Sequence, residues 1–343
     1  MQPPADDWTT PGVEEVAPGV HRIPLPLPND GLRAVNVYAI ADGDRLLLVD
    51  SGWAIPDARL QLEKALRALE CSFADISRFL ITHAHRDHFT QAITLRREFK
   101  TNVALGSGER DSLESLQNPD RLPFQQQFRQ LHLYGAADLI AETIAEFRGH
   151  PGPNRAEWEF PDTWLEDGDI VTASDRELNV VATPGHTKGH VVFHDAAAAL
   201  LFAGDHVLPT ITPSIGFEPV LSADPLADFL GSLARVRAMP DALLLPAHGP
   251  TAPSVHARID ELVDHHGRRL EQTELAVAAG AVTAFEVAQQ LLWTRRERRL
   301  DELDLFNKRL AVAETGAHLT LLVAQGRVLR STEDDVFMHR LPG

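Results

Sequence analysis

Four side chains able to bind a metal ion stand within six residues, His83-Ala84-His85-Arg86-Asp87-His88. Borderline cations such as Zn2+ prefer imidazole nitrogen and carboxylate oxygen. His83 and His85 can reach one ion, and Asp87 and His88, displaced along what reads as a loop, can reach a second a few ångströms away. A lone histidine is usually a surface or core residue; four candidates at ligand spacing are a motif. Three further features follow in order: His186 in Pro-Gly-His-Thr-Lys-Gly-His, Asp205 in Ala-Gly-Asp-His, and His248 in His-Gly-Pro. Each stands beside a glycine that lets the backbone approach closely. Cys71 is the only cysteine, which excludes a cysteine-rich zinc site and an internal disulfide. Any metal is therefore held by imidazole and carboxylate, with zinc the default ion and iron and manganese also compatible.

The elements that must position these residues are readable as short strands and helices. Strands are expected at 20–23, 36–40, 45–50 and 78–82, the last running straight into His83, with helices over 56–70 and 90–99. Strands resume at 102–105, 170–171, 178–183, 190–193, 200–203 and 242–245, with a helix at about 225–238. His186, Asp205 and His248 each follow the C-terminal end of one of these strands. Between them, 109–165 reads as a mostly helical insertion, with helices at 112–116, 124–133 and 136–147, in a place suited to a substrate lid or to extra core helices. Trp158, Phe160 and Trp164 near its end are expected in the core. From about 255 the chain turns helical, at 255–266, 271–279, 284–293 and 304–318, and closes with a hairpin around Glu333-Asp334-Asp335.

The 343 residues suffice for a large domain and a small second one, divided here as 1–252 and 253–343. No apolar run approaches the ~20 residues of a membrane span. Met1 to Thr10 lacks a basic start followed by an apolar run, so no secretory signal is expected and the cytoplasm is the expected location. A formal net charge of −17 argues against a nucleic-acid partner, because gripping phosphates needs a basic surface. The expected partner is a small-molecule substrate. Trp293 with Leu291, Leu292, Leu300 and Leu303 would supply an apolar patch for a homodimer. Arg295-Arg296-Glu297-Arg298-Arg299 reads as a solvated face or loop, with an anionic substrate group as its alternative.

Taken in order, these motifs resemble the metallo-β-lactamase-fold hydrolase superfamily over about residues 18–250. The Gly204-Asp205 pair is similar to the glyoxalase II and lactamase-β-2-like group, and the tail around Glu314-Thr315-Gly316-Ala317-His318-Leu319 resembles that group's winged-helix extension. The resemblance implies an α/β fold, a four-layer αββα sandwich, carrying a small winged-helix-like C-terminal domain. It implies that His83, His85 and His186 bind a first metal, that Asp87, His88 and His248 bind a second, and that Asp205 bridges both. Asp87 and Asp205 are then the catalytic pair. Two divalent ions would give a bridging hydroxide near neutral pH, which attacks a carbonyl while the metals stabilise the oxyanion. Ester or thioester hydrolysis is the expected reaction, an acyl thioester preferred; the glutathione-binding pattern of glyoxalase II is not evident. The rivals are a phosphodiesterase or ribonuclease of the lactamase-β-2-like type and an iron oxidoreductase of the persulfide dioxygenase type.

Asp50 is weighed evenly between orienting a ligand imidazole and forming a turn. His190, His194 and His206 are left out of the ligand set as structural or supporting. His150, His256, His265 and His266 read as surface histidines. Where relatives carry a small pair after His88, this chain has Phe89-Thr90-Gln91-Ala92, expected to reshape the pocket beside the second metal.

Overall fold

The computed structural model describes residues 7–28, 31–118, 120, 125–146, 148 and 154–343. Two sheets face each other. The first has seven strands in sequence order: β1 (Glu14–Ala17), β2 (Val20–Pro26), β3 (Ala34–Asp42), β4 (Arg45–Val49), β5 (Ile76–Ile81), β6 (Asn102–Gly106) and β7 (Thr163–Leu165). It is antiparallel through β4 and parallel from β4 to β7. The second has five, in the order β12-β11-β10-β9-β8: β8 (Ile170–Ala173), β9 (Arg176–Ala182), β10 (Val191–Asp195), β11 (Leu200–Gly204) and β12 (Leu243–Pro246).

Alternate side chains of a strand point to opposite faces, and here both faces are covered. Leu46 and Leu48 of β4 therefore pack outward under α1 (Pro56–Ala68) and α2 (Arg86–Phe99), while Leu47 and Val49 fill the space between the sheets. Leu200 and Phe202 of β11 meet them there, and Leu201 and Ala203 face the other way, toward α6 (Pro225–Arg237), α7 (Val255–Ala278) and α9 (Leu305–Ala324). Three apolar layers between four structural layers make an αββα sandwich. Among the described residues, no helix is long and apolar enough to cross a membrane.

Several expected boundaries move. α2 begins at Arg86, inside the histidine motif, so Asp87 and His88 occupy a helix's first turn and not a loop. An acidic residue there is favoured by the helix dipole. The two helices expected at 255–266 and 271–279 are one 24-residue helix, α7, because nothing contradicts helix at Gly267 or beyond it. Phe89 does not reshape the pocket: with Ala92 it packs in the core beneath α2, its ring 6.3 Å from Trp158. Trp158 and Trp164 are partly buried against that core, Phe160 is exposed, and Trp164 lies in β7, an edge strand with no sequence signal.

The segment between β6 and β7 forms α3 (Arg110–Gln117), α4 (Gln125–Leu133) and α5 (Ala137–Glu146); Phe124, Phe147 and His150 lie outside the described residues. Leu131, Ala136 and Leu139 share one core with α7, α8 (Ala284–Gln290) and α9, so the insertion and the C-terminal helices pack on each other. Leu291, Trp293, Leu300 and Leu303 are inside that core; of the patch expected for a dimer, only Leu292 is exposed. Residues 294–299 form an exposed turn. The chain ends in a hairpin of β13 (Leu329–Glu333) and β14 (Val336–Arg340), turned through Asp334 and Asp335, both at positive φ. That conformation suits the primed two-residue hairpin turn.

Candidate metal centre

The C-terminal ends of β4, β5, β9, β11 and β12 reach one rim of the sandwich, and the residues that follow them meet there. All seven expected ligands come together, in two groups: His83, His85, His186 and Asp205, and Asp87, His88 and His248. Within each group the ligand atoms lie within 4.8 Å of one another. Asp205 connects the groups, with Oδ2 3.5 Å from His186 Nε2 and Oδ1 3.4 and 3.7 Å from Nε2 of His248 and His88. Asp87 Oδ2 is 3.4 Å from His248 Nε2 and 3.6 Å from His88 Nε2. These separations are those of donors around a common small ion, and not of hydrogen bonds.

The hydrogen bonds behind the rings fix which nitrogen is bare. His88 Nδ1–H donates to Asp50 Oδ2 at 2.9 Å, His186 Nδ1–H to Ser214 O at 2.8 Å, and His248 Nδ1–H to Ala34 O at 2.8 Å. The Thr82 hydroxyl donates to Asp50 at 3.0 Å, so it accepts from His83 Nδ1–H at 3.1 Å. In the neutral ring Nε2 is thereby the lone-pair nitrogen in all four, the arrangement found behind metal-bound histidine. Among the described residues, Nε2 of His83, His88 and His248 and Oδ1 of Asp205 are buried without a hydrogen-bond partner. Each such orphan costs about 1–3 kcal/mol unless something meets it. A pair of divalent cations fits this donor set.

The electrostatics agree. Burial disfavours charge on His88, yet Asp87, Asp50 and Asp205 push its pKa up to about 10. Burial would raise Asp87, but His88 and His248 outweigh it and hold the carboxylate below its ordinary range. In the first group, burial and the neighbouring imidazoles keep His83 and His85 neutral, His85 with a pKa of about 3. Positive charge is sought at one end, and neutral nitrogen donors wait at the other.

Asp50 resolves toward the orienting role. It stands at φ 61° after β4 and also accepts from Thr82 N at 2.8 Å, holding β5 and α2 together. His190 is excluded as a ligand, since Nε2 accepts from Asp205 N at 3.1 Å and Nδ1–H donates to Thr183 Oγ1 at 2.8 Å. His194 is buried on β10, and His206 is buried with its ring 5.3 Å from Phe229. His266 corrects the surface reading: it is fully buried, while His265 is partly so.

Two carboxyl groups escaped the sequence reading. Glu109, fully buried, accepts from Thr187 Oγ1 at 2.5 Å and from the Ala84 N–H, tying the loop of His186 to that of His83 and His85. Glu218, also buried, accepts from Lys188 N at 2.9 Å. Burial pushes their pKa values up to about 7 and about 8. No local pattern marks either, because both act on residues 25 or more positions away.

Two glycines are required by packing. A Cβ on Gly204, at φ 50°, would sit 2.6 Å from His190 Nε2, and one on Gly185, at φ 138°, 2.4 Å from the Phe229 backbone. Each glycine lets its ligand-bearing loop lie against a buried neighbour.

Comparison with known proteins matches residues 30–248 to the family described as the metallo-beta-lactamase superfamily. A Bacillus subtilis protein, "Probable metallo-hydrolase YqjP", is 26% identical over 326 residues, covering 89% of this chain and 91% of the relative. An Aspergillus fumigatus protein, "Atrochrysone carboxyl ACP thioesterase", is 25% identical over 268 residues, covering 78% and 67%. Among solved structures, a metallo-beta-lactamase family protein from Thermus thermophilus superposes with a TM-score of 0.78 at 28% identity, over 96% of this chain and 100% of that one.

Proposed function

The chain belongs to the metallo-β-lactamase superfamily, and from that premise we propose that it is a dinuclear metal-dependent hydrolase acting on an acyl thioester. The observation that carries the reading is the division of Asp205, one oxygen toward His186 and the other toward His88 and His248. A carboxylate so placed would be shared by two cations, one held by His83, His85 and His186 and the other by Asp87, His88 and His248. Zinc suits this nitrogen-rich set best. When bound, two such ions supply Lewis acidity and lower the pKa of water.

The chain's own residues do the rest. Asp50 and the carbonyls of Ser214 and Ala34 hold the imidazoles in one tautomer and one orientation. Asp205 and Asp87 would offset the charge of two neighbouring cations, and the Asp87 side chain is slightly the more exposed of the two, 14% against 9%. The thioester preference draws support from the fungal acyl-carrier-protein thioesterase among the relatives, whose likeness covers 78% of this chain.

The test is thiol release from a panel of short- and long-chain acyl-coenzyme A esters by the zinc-loaded protein, with Asp87→Ala as control. Turnover that falls roughly 100-fold or more in the control is expected. No release across the panel, alongside turnover of an oxygen ester or a phosphodiester, would replace thioester by that bond and leave the metal-dependent hydrolase standing.

A further inference from the structure

A second cluster lies on the helices behind the second sheet. His265 and His266 of α7 and Glu314 of α9 each place one ligand atom within 4.8 Å of the others. His266 is fully buried, and the other two are partly buried. Their protonation follows from the hydrogen bonds. His318 Nδ1 lies 2.8 Å from the Glu314 carbonyl, which only accepts, so Nδ1 carries the proton. In a neutral ring so protonated, Nε2 is the lone pair. His266 Nδ1, 3.2 Å from that lone pair, must then be the donor. Burial, with His318, His265 and Arg269 nearby, keeps His266 neutral as well. Its Nε2 is left as a bare lone pair, buried and, among the described residues, without a hydrogen-bond partner.

As at the metal centre, hydrogen bonds behind the rings decide which nitrogen is bare; here a carbonyl fixes one ring and that ring fixes the next. We propose that His265, His266 and Glu314 form a third metal site, taking a borderline divalent cation such as Zn2+, with His318 as the outer partner that orients His266. Two imidazoles and a carboxylate are a known zinc donor set, with the fourth position open to water. His265 borders a cleft of about 510 Å³ shared with Arg268, Arg269 and Gln272, so the His265 side of the cluster is reached from solvent. Arg269 is also the element that weakens the site, since its guanidinium interacts with all three ligands. The third ion is therefore held less tightly than the catalytic pair and is stripped first by a mild chelator. Joining α7 to α9, it would be structural.

The experiment is metal counting after equilibration with buffered free zinc, on the wild-type chain and on Glu314→Gln and His265→Gln. Wild type is expected to hold one zinc per chain more than either variant, and its thermal midpoint to rise with zinc over a range where theirs does not. The measured quantity is a difference, so it is independent of how many ions the catalytic site holds. Glu314→Gln keeps the shape of the side chain, and His265 is partly exposed, so a folding defect will not mask the count. Equal metal content in all three proteins at saturating zinc would overturn the proposal. So would a cobalt titration of the wild-type chain in which the absorption saturates at the same equivalence as in Glu314→Gln.

Discussion

Single side chains set this site by what they deny one another. Asp50 accepts a hydrogen bond from His88 Nδ1–H, and two backbone carbonyls do the same for His186 and His248, so that in the neutral rings Nε2 has no choice of role. Replacing Asp50 by Ala frees the His88 ring to rotate and take the other tautomer; metal affinity should fall about 10–100-fold, read by competition with a chromophoric chelator. An affinity unchanged within twofold would remove Asp50 from the support of the site. Glu218 offers a test in pH. Its folded-state pKa, about 8, lies above the ordinary value of 4.5, so the folded chain binds the extra proton between those limits. Stability contributed by this group is therefore complete below about pH 4.5 and is lost as pH rises through about 8. Glu218→Gln, which keeps the acceptor for Lys188 N–H, should gain thermal midpoint over wild type at pH 9 and gain little at pH 5. Parallel curves for the two proteins would mean that the carboxyl ionises freely. The expected ligands were legible because they sit in compact motifs of unusual residue types. Glu109 and Glu218 were not, since a buried glutamate meeting a distant loop leaves no trace in its own neighbourhood.

At the level of elements, the apolar runs of β4 and β11 marked them as strands, and the glycine-flanked strand ends told where the rim is. What went unread were edges and starts. β1 and β7 are four and three residues long and lie at the sheet's margins, where composition is unconstrained. α2 starts three residues into the histidine motif because its first turn is also a ligand platform, a demand that composition does not encode. Two glycines separate packing from propensity. Gly185→Ala forces a Cβ against the Phe229 backbone at a left-handed φ and should cost about 1–3 kcal/mol. Gly231→Ala, on the exposed face of α6 with nothing within 4 Å, should stabilise by about 0.5–1 kcal/mol. Urea unfolding of both variants checks the pair, and equal effects would show that the Phe229 contact is relieved elsewhere.

On the scale of the whole molecule, the division expected at residues 252 and 253 cuts through a shared core. Ile259 and Leu262 of α7 and Ala317, Leu321 and Leu322 of α9 pack in the same cluster as Phe229 of α6 and Leu244 of β12. Removing 253–343 therefore exposes the outer face of the second sheet, and the shortened chain should aggregate; the intact chain should unfold in one calorimetric transition. Two resolved transitions would restore the picture of independent parts. The sandwich itself was readable from the order of motifs, whereas the joint core of insertion and C-terminal helices was not, because it is made by segments far apart in sequence. The ligand set is itself divided between the sheets: residues 83–88 follow a strand of the first, and His186, Asp205 and His248 follow strands of the second. During synthesis the first four leave the ribosome well before the others exist. An ion captured at that stage would be chosen by a short peptide with only part of the donor set, and enclosed only later. Protein refolded in mixed zinc and iron should thus carry a different metal ratio from folded, metal-stripped protein exposed to the same mixture.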